Sequence, residues 1–467
     1  MGAVPRLRRA PPGAPAVAAP TLAMWLTVNL AALCVIGLVM VGSASSVVSI
    51  SYYGSTWAIL LRECLWMVVG VGAFWFAAGR TTKQLGVLAA VGTVGTMALL
   101  ALVLAPGFGT SSFGASRWLG FGWIRIQPSE LAKLALCLYA AHVISKKERV
   151  EREWGRVLRP LAVVTLVAAL LVLAQPDMGT AVVLIGIALA VATAAGAPWR
   201  ALWCTVGVLL VGCGLAAVAM PYRRTRLLSF LHPQSDPSGS GYQLLQSKIG
   251  FGSGGVTGTG IGNSPLPWGS LPNPHTDFIF SIVGNELGLV GALVVLGLLV
   301  SLVMLGLRVA ARADDRFSQL AAVGISTWLA IETIVNVGAV TGVLPVTGIP
   351  LPFISFGGTS LVIDMAAVGV LVGIARRSAV RPRLRVVATS RPAPAKAASS
   401  ADRRAPVRAP RPVAPRARRA SATPPRPATR SPSRRTPPLR TPSRRTPPRR
   451  APSRPPERAP SRAGRRR

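Results

Sequence analysis

The sequence predicts an all-α integral membrane protein with about ten transmembrane helices. Three observations point there. Of 467 residues, 51% are apolar and mean hydropathy is +0.47, which suits a polytopic membrane chain rather than a soluble globule. Apolar stretches near the ~20 residues needed to cross a bilayer recur along the chain. The formal charge of +37 is displaced to one end, where 29 Arg and Lys between Arg376 and Arg467 face only Asp402 and Glu457.

Residues 1–20 read as a short cytoplasmic segment carrying Arg6, Arg8 and Arg9. A polytopic membrane domain is expected over 21–377. Its spans fall at 22–42, 58–79, 84–105, 129–145, 159–175, 178–196, 199–220, 278–307, 319–343 and 358–376. No small-residue cleavage site follows the first apolar run, so it reads as a retained helix rather than a signal peptide. Orientation follows from the basic residues. Arg80 and Lys83 follow span two, Lys146 to Arg159 fill the loop after span four, and Arg308, Arg312 and Arg316 follow span eight. These loops alternate with basic-poor ones, which puts both termini in the cytoplasm. Residues 43–57, 106–128, a large loop over 221–277 and a turn over 344–357 are then extracytoplasmic. All five cysteines (Cys34, Cys64, Cys137, Cys204, Cys213) lie in or beside apolar segments without C-x-x-C or Cys/His spacing, against a disulfide framework or zinc site.

Residues 378–467 are dominated by Arg, Pro, Ala, Ser and Thr, with a near-repeat SPSRRTPPLR, TPSRRTPPRR, APSRPPERAP over 431–460. Such a segment has no core to bury and repels itself, so a disordered cytoplasmic tail is expected. Its charge suits anionic lipid or an acidic cytoplasmic partner, and no specific nucleic acid is implied. Ser431, Thr436, Thr441 and Thr446 are SP or TP sites whose phosphorylation would weaken that attraction.

Ionisable groups inside a bilayer are costly, so each is a functional candidate. Glu130 and Lys133 stand at i,i+3 in IQPSELAK, Asp177 in QPDMGT, and Asp277 at the mouth of span eight in PNPHTDFIFSIVGNELG. Glu286, Glu332 and Asp364 lie within spans eight, nine and ten. Each also has a plain structural reading. Glu130 and Lys133 can neutralise one another, Asp177 can be a turn residue, and Asp277 or Thr276 can cap span eight. The glycine run FGSGGVTGTGIGNS (251–264) lacks the strand–helix–strand context of a dinucleotide site and reads as a flexible, backbone-exposing loop.

Several motifs occur together in order. They are SASSVVS (43–49), GASRWLGFGWIRIQPSELAK (114–133), QPDMGTA (175–181), GYQLLQSKIGFGSGG (241–255), PHTDFIFSIVGNELG (274–288) and GVLPVTGIPLPFISFGGTS (342–360). Over about 20–378 the chain resembles the SEDS family of cell-shape, division and sporulation proteins, FtsW and RodA among them, and SASSVVS with the basic tail looks more like the division-type branch. The resemblance implies peptidoglycan glycosyltransfer. Family members polymerise lipid II at the outer face of the cytoplasmic membrane together with a class B penicillin-binding protein, at the septum for the division branch. The aspartate of the HTDF motif maps to Asp277, which implies a catalytic general base. Arg117, Lys133 and Lys248 are candidates to stabilise the leaving pyrophosphate, which a divalent cation, Mg or Mn, can also bind. His275 is expected to orient the loop, with Glu130 and Asp177 in supporting positions. The chain departs from the family pattern at Ser116 (usually Arg), Thr259 (Lys), Asn273 (Glu) and Asn285 (Glu). A lipid II flippase and a non-catalytic division scaffold are the competing readings.

Overall fold

The computed structural model describes residues 18–112, 115–121, 124–146, 154–200, 202–203, 206–207, 212, 230, 241–264 and 274–380. Most of span seven (199–220), much of the large loop, Asn273 and the whole segment 381–467 fall outside the described residues.

The first helix, α1, runs over Ala18–Tyr53. SASSVVS therefore belongs to the helix and does not follow it, because beyond Pro20, which sits in the first turn, no proline or glycine pair interrupts the apolar run before Gly54. Helices α2 (Ala58–Ala78) and α3 (Thr82–Leu104) follow. A capping box starts α3, with Thr81 Oγ1 accepting from Gln84 N and Gln84 Oε1 accepting from Thr81 N.

The loop after α3 is not purely irregular. Strands β1 (Gly109–Ser112), β2 (Ala115–Phe121) and β3 (Ile124–Ile126) form an antiparallel sheet in the order β1-β2-β3. This small sheet qualifies the all-α expectation. It leads into α4 (Pro128–Ser145), with Pro128 in the first turn, where its missing N–H costs nothing. Helices α5 (Trp154–Ala174) and α6 (Met178–Ala194) come next, then α7 (Tyr242–Gly254).

Span eight is broken. In place of one helix over 278–307, α8 (Ile279–Glu286) and α9 (Gly288–Arg312) meet at Gly288, whose φ is +68°. Backbone freed at such a break must find partners inside a membrane, and the glycine run supplies them. Thr259 N donates to Asn285 O at 3.0 Å and Gly260 N to Glu286 O at 3.0 Å, while Leu289 N donates to Gly255 O at 3.0 Å. The approach is so close that a methyl on Gly258 would collide with the Glu286 carbonyl. The flexible loop of the sequence reading is in fact a backbone clasp on a discontinuous helix.

Helices α10 (Arg316–Thr341) and α11 (Gly358–Val380) are the last of the described elements. They form the interior, with Trp328, Leu320, Leu371 and Val372 fully buried. Val68, Val91, Val94 and Leu293 on α2, α3 and α9 stay exposed, the apolar all-round pattern of lipid-facing helices. Six helices are long and apolar enough to cross a membrane, and α5 and α6 contain shorter apolar helices of the same kind.

Candidate active site

At one end of the bundle, loops from distant parts of the sequence are tied into a single polar cap. Gln127 N donates to Thr359 Oγ1 at 3.3 Å, and Gln127 Nε2 donates to Asp177 Oδ2 at 3.2 Å. Gly179, opening α6, leaves no space for a methyl against Ile349 and Thr347. The segment 274–278 lies on the same 344–357 loop. Phe356 N donates to His275 O at 2.8 Å, and the His275 and Phe356 rings meet edge-on at 5.5 Å.

Asp277 sits within this cap. The N-cap position of α8 belongs to Phe278, one residue further on, whose own side chain makes no capping hydrogen bond. The Asp277 backbone oxygen accepts from Asn336 Nδ2 at 2.9 Å, and the same amide donates to Ile349 O at 2.7 Å. Its carboxylate faces Gly348, where an added Cβ would stand 3.5 Å from Asp277 Oδ2. Gly348 has φ +78°, a conformation that side chains strain to adopt.

His275 is buried, and burial alone holds its imidazole pKa down, to about 4. It is neutral at physiological pH. Its main chain and its ring are both engaged by Phe356 of the 344–357 loop.

Lys248 lies on the exposed face of α7, its side chain against Gly342 at the C-terminal end of α10. Helix α7 is fastened there by Ser247 Oγ donating to Val340 O at 2.7 Å, and to α8 by Ser281 Oγ donating to Ser247 Oγ at 2.8 Å. Lys248 is thus an accessible cation carried on the helix that packs against α8 and the end of α10.

Three other candidates are committed elsewhere. Asp177 caps α6, its Oδ1 accepting from Thr180 N at 3.2 Å and its Oδ2 from Thr180 Oγ1 at 2.9 Å. Arg117 donates from Nε to Gln175 O at 3.1 Å and from its terminal nitrogen to Pro176 O, so it clamps the α5–α6 turn. Lys133 is 1% exposed, bonded to Glu130 at 2.6 Å and to Glu332, and stands 5.0 Å from the Trp328 ring centre. An ammonium so enclosed is a structural counter-ion rather than a group that can meet a leaving pyrophosphate. Asp364 lies within electrostatic reach of this cluster.

Two further polar residues hold the broken span. Glu286 Oε1 accepts from Ser43 Oγ of α1 at 2.6 Å, which gives the SASSVVS motif a structural reason. Asn285 is fully buried, its amide donating to Gly250 O at 2.9 Å and Ser253 Oγ at 2.6 Å. Asn336 was missed in the sequence reading. Its only signal there is an amide inside the apolar run AIETIVNVGAV.

No group of three or more His, Cys, Asp or Glu side chains among the described residues is placed to hold a metal ion. A cleft of about 340 Å³ lies at the opposite end of the bundle, lined by Thr82, Asp314, Asp315, Arg376 and Arg377 among others, and touches none of the cap residues.

The family model described as "Cell cycle protein", FTSW_RODA_SPOVE, matches residues 24–380. A relative from Geobacter metallireducens, named probable peptidoglycan glycosyltransferase FtsW, is 38% identical over 346 residues, covering 74% of this chain and 92% of its own. Among solved structures, a chain from a study titled as the structural coordination of polymerization and crosslinking by a peptidoglycan synthase complex is 32% identical, with TM-score 0.63, covering 76% of this chain and 97% of that one. The rod shape determining protein RodA of Thermus thermophilus is 28% identical with TM-score 0.56, covering 75% and 95%. With the family model spanning nearly all of the described helices, the chain belongs to the FtsW/RodA/SpoVE family of cell cycle proteins.

Proposed function

We propose that the chain is a peptidoglycan glycosyltransferase that polymerises lipid II during cell division, with Asp277 as its general base. The observation that carries this reading is the setting of Asp277. It is the HTDF aspartate, it stands just before the α8 N-cap, and its backbone is held by Asn336 with its carboxylate against Gly348.

The chemistry follows from the residue types. The 4-hydroxyl oxygen of an acceptor sugar attacks the anomeric carbon of a lipid-pyrophosphate donor. Its proton passes to the Asp277 carboxylate, the carbon–oxygen bond to phosphate breaks, and pyrophosphate leaves with the electron pair. General base catalysis of this kind contributes ~10²–10⁴-fold. Lys248 is the candidate left to offset charge on the leaving group, because Lys133 and Arg117 are engaged elsewhere. A divalent cation, Mg or Mn, would serve the same end at the pyrophosphate, held chiefly by the substrate's own oxygens.

The finer arrangement belongs to the same proposal: ten spans, both termini in the cytoplasm, and the Asp277 cap at the outer face, where lipid-linked sugars are presented. The relative named for peptidoglycan glycosyltransfer and the neighbour drawn from a synthase complex support lipid II as substrate and a class B penicillin-binding protein as partner. Work at the division septum follows from the division-type motifs. The basic segment after residue 378 is assigned to anionic lipid or cytoplasmic division proteins.

The test is lipid II polymerisation by the purified protein with its class B partner, wild type beside Asp277→Asn. Glycan strands from wild type alone support the assignment. Strands from both remove Asp277 from the chemistry. Strands from neither, with partner binding intact, favour a scaffold or a lipid II flippase.

A further inference from the structure

We infer that Asn336 is a positioning residue for the transferase reaction, holding Asp277 in register with the 344–357 loop. The inference rests on the proposed role of Asp277. Asn336 is 2% exposed and lies inside α10. Its amide nitrogen carries two protons and uses both, one to Asp277 O at 2.9 Å and one to Ile349 O at 2.7 Å. The two carbonyls belong to segments about 70 residues apart in sequence, and no regular secondary structure joins them.

The consequence is geometric. Asp277 and Gly348 form the contact that locates the carboxylate, and Asn336 grips the chain at Asp277 itself and at Ile349, the residue after Gly348. A single rigid amide on a well-packed helix therefore sets the separation of the two walls between which the base stands. The main-chain hydrogen bond from Phe356 N to His275 O ties the same two segments at a second point. Misplacing a reacting group by ~1 Å is enough to cost ~10²-fold in rate.

Asn336 is separate from the buried ion cluster of Lys133, Glu130 and Glu332 on the adjoining turns of α4 and α10. Substituting it removes no charge. The substitution Asn336→Leu keeps the branched four-atom side chain, somewhat enlarged, and removes both donors; Asn336→Asp keeps the shape, removes both donors and adds a carboxylate facing the two carbonyls; Asn336→Gln keeps the donors one methylene further out.

The experiment is steady-state lipid II polymerisation by the full chain with its class B partner, measured per folded protein for wild type, the three Asn336 variants and Asp277→Asn. Expected are a tenfold to hundredfold fall in kcat for Asn336→Leu and Asn336→Asp, KM within about twofold of wild type, and partial recovery in Asn336→Gln. Wild-type kcat per folded molecule in Asn336→Leu, with Asp277→Asn inactive, overturns the positioning role and leaves the base assignment standing. A loss carried by KM alone also overturns it, because it would place Asn336 in substrate binding. If Asn336→Leu does not fold, Asn336→Asp against Asn336→Gln decides: equal kcat in the two overturns the role. Full activity in Asp277→Asn removes the base assignment itself, and the inference falls with it.

Discussion

Thr259 and Asn285 touch: the Thr259 hydroxyl donates to the Asn285 carbonyl oxygen at 3.3 Å and reaches its side-chain oxygen at 3.5 Å. These are two of the positions at which the chain departs from the SEDS pattern, Lys and Glu being usual there. Read one at a time, each looks like a lost functional charge. Their contact makes them one local arrangement, held in this chain by neutral hydrogen bonds beside the broken helix. Restoring the acid alone is expected to be harmful, because Asn285 is fully buried and its amide satisfies Gly250 O and Ser253 Oγ. Asn285→Glu should lose about 3 kcal/mol, the order expected for an unpaired buried charge. Adding Thr259→Lys should recover at least half of that loss. A thermal-unfolding double-mutant cycle in detergent reads the coupling, and strictly additive single effects would show that the two positions are independent.

Gly348 should be intolerant for a local reason. A methyl there meets the Asp277 carboxylate at 3.5 Å, in contact but without a clash, while the backbone φ of +78° costs about 1 kcal/mol for any other residue. Gly348→Ala is therefore expected to fold and yet to lose activity well beyond what that strain explains. Comparing its thermal midpoint with its lipid II polymerisation rate separates the two. A rate lowered only in step with the folded fraction would assign Gly348 to the backbone alone.

Much of the cap was legible in the sequence, and the reason is chemical. HTDF, QPDMGT and the 342–360 turn are polar or glycine- and proline-marked segments set in apolar sequence, where residues are retained only for a purpose. What was not legible was commitment. Arg117 and Lys133 carry the right charge for a pyrophosphate, but whether a guanidinium or ammonium is free depends on carbonyls and carboxylates brought in from other helices. Gln175 and Pro176 take the first, and Glu332 the second. The break at Gly288 was hidden because Leu287 and the residues beyond Gly288 continue an apolar run without interruption. The 109–126 sheet left a faint trace in the alternation of RWLGFGWIRI, too short to outweigh the membrane pattern around it.

Lys133 should matter to folding rather than to turnover. It is the only cation in contact with Glu130 and Glu332 among the described residues. Lys133→Met would leave both carboxylates buried without their partner, a loss of about 3–5 kcal/mol. Little folded protein is expected in membranes, and Lys133→Met combined with Glu130→Gln and Glu332→Gln should recover part of it. Detergent-extracted, size-exclusion-resolved yield is the readout. Wild-type yield of Lys133→Met with activity abolished would instead return Lys133 to the chemistry.

His275 gives a pH prediction with a definite sign. Its pKa falls from the ordinary 6.5 to about 4 because burial disfavours the charged ring. Between those values the unfolded chain binds a proton that the folded chain refuses, so folding stability is full above about pH 6.5 and declines as pH falls toward 4. His275→Phe should preserve the stacking on Phe356 and flatten that part of the acid-stability curve. The pH–rate profile of polymerisation above pH 6.5 should be unchanged, because a ring that is neutral throughout that range exchanges no proton with substrate. A basic-side limb lost in His275→Phe would make the imidazole a participant in the reaction.

The broken span offers the sharpest structural test. Glu286 and Gly288 present their backbone to the glycine run, and Gly258 enters so closely that a methyl collides with the Glu286 carbonyl oxygen at a φ of +84°. Gly258→Ala must either push the run away, leaving the Asn285 and Glu286 carbonyls without the Thr259 and Gly260 donors, or move α8 with it. Each carbonyl left unpaired inside the bundle costs about 1–3 kcal/mol. Because α8 starts two residues after Asp277, movement of that helix also displaces the base. Gly258→Ala is thus expected to lower the thermal midpoint and to reduce polymerisation per folded molecule, both effects arising from one clash. The distant Gly72, on α2 with open space around it, is the control: Gly72→Ala should leave both unchanged. Loss of stability in Gly258→Ala with an unaltered rate per folded molecule would uncouple the clasp from Asp277 and confine it to holding the discontinuous helix together.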